Sequence, residues 1–591
     1  MSHLDVVVAQ IRPRKGDYAE NLRRIGSVFT EVAGQERPPD LVVFPETVLS
    51  GYFVEGGVAE VALPVGAVFR DLAEQHRLSG APALDVVVGF YEVHRNRFYN
   101  AAVYATLGGP DAAVVHVHRK IFLPTYGLFD EQRFVQRGKT IQAFPTRFGR
   151  VAMAVCEDAW HSIVPTIAAL QGAQLVVVPS AAPGRGAEPD PDRGADDRAR
   201  PASVRRWERL VRRIAEEHGV YVVLAQLVGF EGGKGFPGSS VIVDPRGEIM
   251  VRGPLFESGL VQASLSFDEI TRARAQLPLL ADLETQLPAL LASAEYDGPP
   301  EPALDSSSRA PGRARAPRPA RPLEIDPVLL AEWLVAFLQD EVGRRRGFDR
   351  VLVGLSGGVD SATTAALAVR AFGPSGVLGV RMPYRTSSTE SLEHAAAIAE
   401  ELGIAIRTID ISAAVDGFVA AVDPEMNATR KGNVMARTRM ITLFDLSAKE
   451  QALPLGTGNK TERLLGYFTW HADDSPPVNP LGDLFKSQVR QLARHLRVPD
   501  AILEKPATAD LEPGQTDEGD LGVSYERADQ ILHWILVGIS NEEMVSFGFT
   551  PEEIRLVQGR LGGTHWKRHL PTTAVVSGSA IRESYLRPVD Y

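Results

Sequence analysis

Short runs of β-branched and other apolar residues recur through the first half of the chain and predict buried strands. The runs are apolar at consecutive positions, as in DVVVAQ and LVVVPS, instead of alternating with polar residues. Strands of this kind are buried on both faces, so we expect sheets that are covered by helices or by another sheet. The predicted strands begin near residues 5, 40, 85, 101, 113, 151, 175, 220 and 240.

Strand and helix patterns alternate after residue 323. A helix is predicted over 326–346, the strand RVLVGL follows it, and the alternation continues through a long helix near 433–447 to the strand-like LPLGTG. Strands that are separated by helices predict a doubly wound parallel sheet with right-handed crossovers. We therefore expect the chain to belong to the α/β class.

Two stretches interrupt these patterns. Residues 298–322 are rich in Pro, Arg, Ala and Ser and contain almost no bulky apolar side chain, which predicts an extended linker. We expect a first domain over 1–275, a connecting helix and linker over 276–322, and a second domain over 323–591. The other stretch, 184–206, contains PDPDRGADDRARP and is interpreted as a mobile loop inserted within the first half.

The composition excludes several classes of protein. The 591 residues are 44% apolar and 23% charged, without a run long enough to span a bilayer, which favours a soluble multidomain protein with no membrane partner. The N-terminus lacks the layout of a signal peptide and therefore favours the cytoplasm. A net charge of −11 disfavours nucleic acid as a partner. The single cysteine, Cys156, excludes an internal disulfide and a cysteine-cluster metal site.

A glycine-rich loop between the strand RVLVG and a helix predicts a phosphate site. Main-chain amides that enter a helix form a cradle for anions, and the helix dipole adds to it. The loop is not of the Walker A type, because it lacks the Gly-Lys-Ser/Thr ending. It resembles the SGGxDS loop of N-type ATP pyrophosphatases, which adenylate a substrate and release pyrophosphate. The loop residues are Leu355, Ser356, Gly357, Gly358, Val359, Asp360 and Ser361.

Further motifs in the same half resemble the NAD synthetase family. They include GNVMARTRM, GTGNKTE, GYFT, LFK and KPATADLEPGQTDEGDLGVSY, and they extend over essentially all of 323–591. The family adenylates the nicotinate carboxylate of deamido-NAD+, and ammonia then displaces AMP. The resemblance implies that ATP is also contacted by Arg381, Thr457, Lys486 and Thr508. It implies that deamido-NAD+ is contacted by Asn433, Arg437, Glu462, Trp470, Asp473 and Lys567.

The same resemblance implies Mg²⁺, held by Asp360 and Glu462. One position departs from the family, because Pro477 replaces a carboxylate that can bind the dinucleotide. Trp470 has two interpretations, stacking on a nucleotide ring or ordinary packing.

Polar side chains follow three strands of the first half, namely Glu46, Lys120 and Cys156. A strand end is a common position for catalytic residues, and a cysteine nucleophile needs a neighbour that takes its proton. The order resembles the Glu-Lys-Cys triad of the nitrilase superfamily, with PET, RKIFLPTYGLFDE and CED resembling its glutaminase branch. The resemblance covers residues 3 to about 270 and implies an α-β-β-α sandwich. It implies Glu46 as base, Cys156 as nucleophile and Lys120 as oxyanion stabiliser.

Glutamine contacts are expected from Tyr126, Glu157 and Ser180. Glu131 is either the acid that positions Lys120 or a surface residue. Ala182 stands where the glutaminase branch has a serine, and that serine is expected to hold the amino-acid end of glutamine. Candidates to substitute for it are Ser180, Arg185 or Ser239.

Together the two resemblances imply an ATP-dependent carbon–nitrogen ligase whose substrates are L-glutamine, ATP and deamido-NAD+. They also imply an internal ammonia channel and a homo-oligomer that pairs through the second half, with an octamer as one form. Two alternatives stay open. The enzyme could use a different amide donor or acid, or the first half could be a non-catalytic scaffold on an ammonia-dependent synthetase.

Overall fold

The structure is a computed structural model that describes residues 3–190, 198–294, 321–508, 516–569 and 574. The chain divides into two compact units, and the second unit includes residues 187–199 as well as 318–574. Most of the predicted linker at 298–322 lies outside the described residues. Within the described ranges, no helix combines the length and the apolar character that a bilayer crossing requires.

The first unit contains two six-stranded sheets. The first sheet has the order β14-β1-β2-β3-β4-β5, and the second has the order β13-β12-β9-β8-β7-β6. Strands β10 and β11 form a separate hairpin. The strands are β1 (His3–Gln10), β2 (Leu41–Val43), β3 (Leu84–His94), β4 (Arg97–Leu107), β5 (Ala113–Arg119), β6 (Ala143–Thr146), β7 (Gly149–Met153), β8 (Leu175–Ser180), β9 (Tyr221–Gln226), β10 (Val228–Glu231), β11 (Lys234–Pro237), β12 (Val241–Val243), β13 (Ile249–Arg252) and β14 (Gly259–Ser266).

Alternate residues of β1 explain why the strands are apolar on both faces. Val6 and Val8 pack into a core that also contains Val176 and Leu224 of the second sheet, so this core lies between the sheets. Val7 packs on the opposite face among side chains of the flanking helices. The helices are α1 (Tyr18–Ala33), α2 (Val58–Val61), α3 (Val65–Ser79), α4 (Ile163–Leu170), α5 (Ala202–His218), α6 (Asp268–Gln276) and α7 (Leu279–Ala294).

The second unit is built on a four-stranded parallel sheet. Its strands are β15 (Val351–Gly354), β16 (Val377–Arg381), β17 (Ala405–Thr408) and β18 (Leu453–Leu455). Their order is β17-β16-β15-β18, so the winding direction reverses between β15 and β18. In open α/β sheets, ligands bind outside the carboxyl ends of the strands at such a reversal. The α/β class and the doubly wound sheet are confirmed, as is the sandwich of the first unit.

Helices cover the parallel sheet and extend beyond it. A second apolar cluster, which includes Leu465, Phe485 and Trp534, joins the later helices into a helical subregion. The helices are α8 (Pro327–Leu338), α9 (Val359–Phe372), α10 (Thr389–Glu401), α11 (Ser412–Val422), α12 (Ala428–Glu450), α13 (Lys460–Leu465), α14 (Lys486–His495), α15 (Asp500–Glu504), α16 (Asp517–Leu521), α17 (Tyr525–Leu536), α18 (Asn541–Ser546) and α19 (Pro551–Gly563).

The stretch 184–206 differs from its prediction as a loop of the first half. Its residues 187–199 belong to the second unit, and residues 191–197 lie outside the described part. Within the second unit, the Ala187 carbonyl accepts a hydrogen bond of 2.7 Å from the main-chain N–H of Asp326. Arg198 forms an ion pair of 2.8 Å with Glu332. Composition identified a charged stretch but could not show that specific contacts attach it to the second unit.

Candidate active sites

Three of the predicted residues meet between the two sheets of the first unit. Glu46 follows β2 and Lys120 follows β5 in the first sheet, while Cys156 follows β7 in the second sheet. Glu46 and Lys120 are fully buried, and Cys156 is 6% exposed. Because the strand ends converge, residues that are 110 positions apart in the sequence (156 − 46) come together in one enclosed site.

Lys120 is held between two carboxylates. Its Nζ lies 2.8 Å from Oε1 of Glu46 and 2.8 Å from Oε2 of Glu131. Burial alone would lower the pKa of Lys120, but the charges of Glu131 and Glu46 outweigh it and raise that pKa well above its usual value. Glu131 is 8% exposed, so it is not a surface acid. Lys120 is therefore a fixed cation in the site.

Two further hydrogen bonds orient Glu46. Asn100 on β4 donates from Nδ2 to Oε1 of Glu46, at 2.7 Å, and also to Glu131. The main-chain N–H of Ala181 donates to Oε2 of Glu46 at 2.8 Å. Sequence reasoning missed Asn100, for which the available signal was an amide side chain within the apolar strand FYNAAVYATL.

The main chain of Cys156 lies in the left-handed region, with φ of +47°. A non-glycine residue in this region is uncommon and marks a tight turn or a strained functional position. Ser180, the last residue of β8, donates from its hydroxyl to Sγ at 3.4 Å. Burial raises the pKa of the Cys156 thiol well above its usual value, and Glu46 raises it further, while Lys120 lowers it. The resting residue is therefore a neutral thiol with an acid–base partner beside it.

The other predicted glutamine contacts include Tyr126 and Glu157, the residue that follows Cys156. The hydroxyl of Tyr126, a residue that is 59% exposed, donates to both carboxylate oxygens of Glu157, at 3.0 and 2.9 Å. Ala182 uses its N–H to bond Oε1 of Gln226 at 3.3 Å. Ser239 is buried, and its hydroxyl has no hydrogen-bond partner among the described residues. The main-chain N–H of Arg185 donates to Ser203.

The glycine-rich loop of the second unit follows β15 and enters α9. Gly357 has φ of +77°, and a Cβ there would lie 2.2 Å from the main-chain oxygen of Ser391. Within the loop, the N–H of Gly358 donates to Ser356 Oγ at 3.2 Å, and Ser361 Oγ donates to the Gly358 carbonyl at 3.0 Å. The loop is thus tightly folded at the carboxyl end of the strand, and Val359 begins the helix behind it.

A charged cluster lies beside this loop, at the reversal of the sheet. Lys486, the first residue of α14, donates to Asp360 and, at 3.3 Å, to Oε1 of Glu462. Asn459, which follows β18, donates from its side chain to Oδ1 of Asp360 at 3.0 Å, and its own N–H donates to Glu462. Burial raises the pKa of Glu462 to about 7, although the Lys486 ammonium lowers it. Asn459 was missed because its motif pointed first to the neighbouring charged residues.

The donor set of this cluster suits a divalent cation. Asp360 and Glu462 direct carboxylate oxygens at one cation, the ammonium of Lys486. Among the described residues, no group of three or more His, Cys, Asp or Glu side chains is arranged to hold a metal ion. Mg²⁺ is commonly held by one or two protein carboxylates together with substrate phosphates and waters, so two carboxylates suffice.

Most of the residues predicted to contact the dinucleotide lie in the segment 466–473 or bond to it. Arg437 donates to the Trp470 carbonyl at 3.2 Å, and Lys567 donates to the Gly466 and Phe468 carbonyls at 2.8 and 2.9 Å. The remaining contacts join Asn433 to Thr469 at 3.1 Å, Asp473 to the Thr469 N–H at 2.7 Å, and the Trp470 ring to Trp566 at 5.3 Å between centroids.

Three other predicted residues lie at separate positions of the second unit. Arg381 ends β16, and its guanidinium donates to Thr408 Oγ1, at 2.8 and 3.1 Å, and to the Leu392 carbonyl at 3.2 Å. Thr457 follows β18, in the turn that leads to Asn459. Thr508 is the last described residue before 516.

Comparison with known proteins agrees with both halves. Residues 5–275 match the carbon–nitrogen hydrolase family, and residues 330–571 match the NAD synthase family. A glutamine-dependent NAD(+) synthetase from Thermotoga maritima is 30% identical over 613 aligned positions, which cover 100% of this chain and 99% of that protein. An NH(3)-dependent NAD(+) synthetase from Chlorobium phaeovibrioides is 46% identical over 257 residues, which cover 43% of this chain and 92% of that protein.

A solved structure of a glutamine-dependent NAD+ synthetase from Acinetobacter baumannii shares the fold, with a TM-score of 0.70. It is 23% identical, and the match covers 100% of this chain and 99% of that chain. Fold and motifs therefore define a two-part enzyme, a nitrilase-type amidase followed by an ATP pyrophosphatase. Since the Thermotoga relative aligns from end to end, the chain belongs to the family of glutamine-dependent NAD+ synthetases.

Proposed function

We infer that the domain of residues 1–275 hydrolyses L-glutamine, and that the domain of residues 323–591 uses the ammonia, with ATP, to amidate deamido-NAD+. Residues 276–322 connect the two domains in this proposal. The products are glutamate, NAD+, AMP and pyrophosphate. The observation that carries this inference is the buried group of Glu46, Lys120 and Cys156 in a chain that also contains the pyrophosphatase loop. A carboxylate, a fixed cation and a thiol are the groups that amide hydrolysis requires.

The geometry supports a role for each residue of the first site. Cys156 attacks the amide carbon of glutamine while Glu46 accepts the thiol proton, and Lys120 stabilises the oxygen that becomes negative. The proton then passes from Glu46 to the departing nitrogen, so that ammonia leaves and a thioester forms. Glu46 next takes a proton from water, which attacks the thioester carbon. The C–S bond breaks, glutamate leaves, and Glu46 returns the proton to the Cys156 sulfur. In this proposal Tyr126, Glu157 and Ser180 line the glutamine site. The Ser239 hydroxyl, which has no hydrogen-bond partner in the described part of the chain, is available to bind the end of glutamine that Ala182 cannot.

At the second site the nicotinate carboxylate of deamido-NAD+ attacks the α-phosphate of ATP, and pyrophosphate leaves. Ammonia then attacks the carbonyl carbon of this adenylate, and AMP leaves. The amides of residues 355–361 and the Lys486 ammonium neutralise the phosphates. Asp360 and Glu462 would hold Mg²⁺, which when bound supplies positive charge to the phosphate oxygens. Arg381, Thr457 and Thr508 bind other parts of ATP.

The dinucleotide lies along the segment 466–473. Asn433, Arg437, Glu462, Trp470, Asp473 and Lys567 contact it in this proposal. The hydrogen bonds of Arg437 and Lys567 to main-chain carbonyls of that segment support their grouping. Pro477 adds neither a side-chain charge nor an N–H donor, so it cannot replace the carboxylate that related enzymes have there.

Ammonia is protonated and lost in bulk water, so we expect it to pass to the second site without release, through an internal channel. ATP and dinucleotides are metabolites of the cytoplasm, where we place the enzyme. Self-association through the second unit is supported by exposed apolar side chains on the neighbouring helices α11 and α12, which we call the α11–α12 patch. Its side chains are 39–63% exposed and comprise Phe418, Val422, Ile441 and Phe444.

A comparison of nitrogen sources tests the proposed function. With ATP, Mg²⁺ and deamido-NAD+, we expect the enzyme to form NAD+ from glutamine and, at high concentration, from ammonium. Cys156→Ala should abolish glutamine-driven synthesis and retain ammonium-driven synthesis, because it removes only the nucleophile of the first site. Glutamine-driven synthesis that survives in this variant would mean that the first unit is a scaffold. If the wild-type enzyme forms no NAD+ from glutamine and none from ammonium, the proposed reaction is excluded.

A further inference from the structure

Asp158 lies two residues after Cys156 and is fully buried. It belongs to the short 3-10 turn Cys156–Trp160, which carries the nucleophile. Among the described residues its carboxylate contacts no ammonium or guanidinium group and accepts hydrogen bonds from four N–H groups. A buried carboxylate is costly unless hydrogen bonds satisfy it, so this arrangement must be maintained by its partners.

The four partners come from both sides of the active site. Oδ1 accepts the main-chain N–H groups of Ile121 and Phe122, each at 2.9 Å, directly after Lys120. Oδ2 accepts the main-chain N–H of Val155 at 3.2 Å, directly before Cys156. It also accepts Nε2 of His118, at 2.8 Å, from the end of β5.

These contacts make one carboxylate a bridge between the two sheets. Lys120 follows β5 of the first sheet, and Cys156 follows β7 of the second. The residues whose N–H groups bond to Asp158 are sequence neighbours of Lys120 and of Cys156. The position of the ammonium relative to the thiol therefore depends on this bridge, as does the left-handed turn at Cys156.

We propose that Asp158 is a positioning residue for glutamine hydrolysis, which holds the Lys120 ammonium and the Cys156 thiol at the separation that the reaction needs. The proposal rests on the proposed function of the first site. Asp158 itself does not contact the substrate or exchange a proton. It acts through the main chain on either side of the two reacting groups.

Asp158→Asn tests this role with little change of volume. One oxygen remains for Ile121 and Phe122, but an amide NH₂ then faces two donors, the Val155 N–H and His118, so one half of the bridge is lost. We expect kcat for glutamine hydrolysis to fall about 100-fold, which is the effect of a misplacement of roughly 1 Å. KM for glutamine should change less than about threefold, since Asp158 does not contact glutamine, and ammonium-driven synthesis should stay within about twofold.

A pH profile separates positioning from a merely structural role. The Lys120 charge lowers the pKa of the Cys156 thiol, so its displacement should move the pH dependence of Cys156 alkylation by iodoacetamide to higher pH. Asp85→Asn is the matched control, because Asp85 is 1% exposed, accepts the Tyr104 hydroxyl at 2.6 Å, and lies at the start of β3. This control should leave kcat for glutamine and the alkylation profile unchanged.

The outcomes are distinct. A wild-type kcat and alkylation profile in Asp158→Asn would overturn the proposal, and so would the same shift in Asp85→Asn. If Asp158→Asn fails to fold, as judged by loss of ammonium-driven synthesis, His118→Leu removes one partner and should produce a smaller change of the same sign. An unchanged His118→Leu enzyme would then overturn the proposal. If the wild-type enzyme itself does not hydrolyse glutamine, the proposed function fails before Asp158 is tested.

Discussion

At the scale of single residues, the site of the first unit shows why burial alone does not make a nucleophile. Removal from water stabilises the neutral thiol of Cys156, and a neutral thiol attacks an amide poorly. Glu46 supplies the missing base, and Lys120 supplies a charge that favours thiolate. The site therefore keeps the thiol protonated at rest and relies on proton transfer to Glu46 during attack.

The pKa of Cys156 can be measured without interference, since the chain has no other cysteine. Burial raises this pKa in the native protein, so the thiol keeps its proton to higher pH than in the unfolded chain. We expect the rate of iodoacetamide labelling to reach half its maximum above pH 8.5 in the native enzyme, and near the ordinary value of about 8.5 in guanidinium chloride. Mass spectrometry of one alkylated peptide measures both. A native midpoint below the denatured one would mean that the Lys120 charge outweighs burial.

Residue identity allowed the triad to be predicted from the sequence, because Glu46, Lys120 and Cys156 each follow a recognisable strand. Asn100 and Asp158 could not be assigned in this way. Their roles depend on which strands become neighbours, and a hydrogen bond between residues 54 positions apart, such as that from Asn100 to Glu46, has no local sequence signal. Glu131 left two interpretations open until its burial beside Lys120 was known.

At the scale of elements, the second site is built from the turns that follow parallel strands. The turn after β15 leads to Asp360, the second residue of α9, and the turn after β18 provides Asn459, whose side chain donates to Asp360. The reversal of strand order leaves space between these turns, because the crossover helices leave in opposite directions. Gly357 allows the first turn to pass close to Ser391.

Two glycine variants separate local crowding from backbone conformation. In Gly357→Ala, the new Cβ would lie 2.2 Å from a main-chain oxygen, so the loop must move. We expect synthesis from glutamine and from ammonium to fall together, by about 100-fold or more, while glutamine hydrolysis persists. Gly373→Ala is the control, since Gly373 has a similar φ of +73° and no atom within 4 Å of the added Cβ. It should cost roughly 1–3 kcal/mol of stability, because its ψ of 166° together with a positive φ lies in a region that essentially only glycine adopts. Equal activity losses in both variants would contradict the crowding argument.

Element prediction found nine strands of the first unit and missed β6, β10, β11, β13 and β14. The nine apolar runs of the first half correspond to β1–β5, β7–β9 and β12. The hairpin of β10 and β11 was missed because its sequence VGFEGGKGFP is rich in glycine. Pairing with each other stabilises the extended backbone of these two strands, although their glycine-rich composition does not favour it.

At the scale of the whole molecule, the α11–α12 patch is the feature that predicts self-association. Apolar side chains on neighbouring helices are a common mark of a protein–protein interface. Ile441 is 63% exposed, so a charge placed there does not disturb a core.

Ile441→Arg should therefore reduce the molar mass measured by light scattering, since an unpaired charge in an apolar interface is costly. Leu78→Arg is the control, because Leu78 is 64% exposed at the end of α3 in the first unit. It should leave the molar mass unchanged. If the Ile441→Arg enzyme keeps the wild-type molar mass, the patch is not the interface.

The assignment of residues 187–199 to the second unit has a consequence for biosynthesis. Ala187 leaves the ribosome 139 residues before Asp326, the partner of its carbonyl (326 − 187 = 139). At roughly 5–20 residues per second, Asp326 is synthesised about 7–28 s after Ala187. During that interval the strands of the first unit can pair, but the segment cannot yet make its contacts with the second unit. The contacts of Ala187 and Arg198 with the second unit therefore form late in folding, after a different part of the chain has been synthesised.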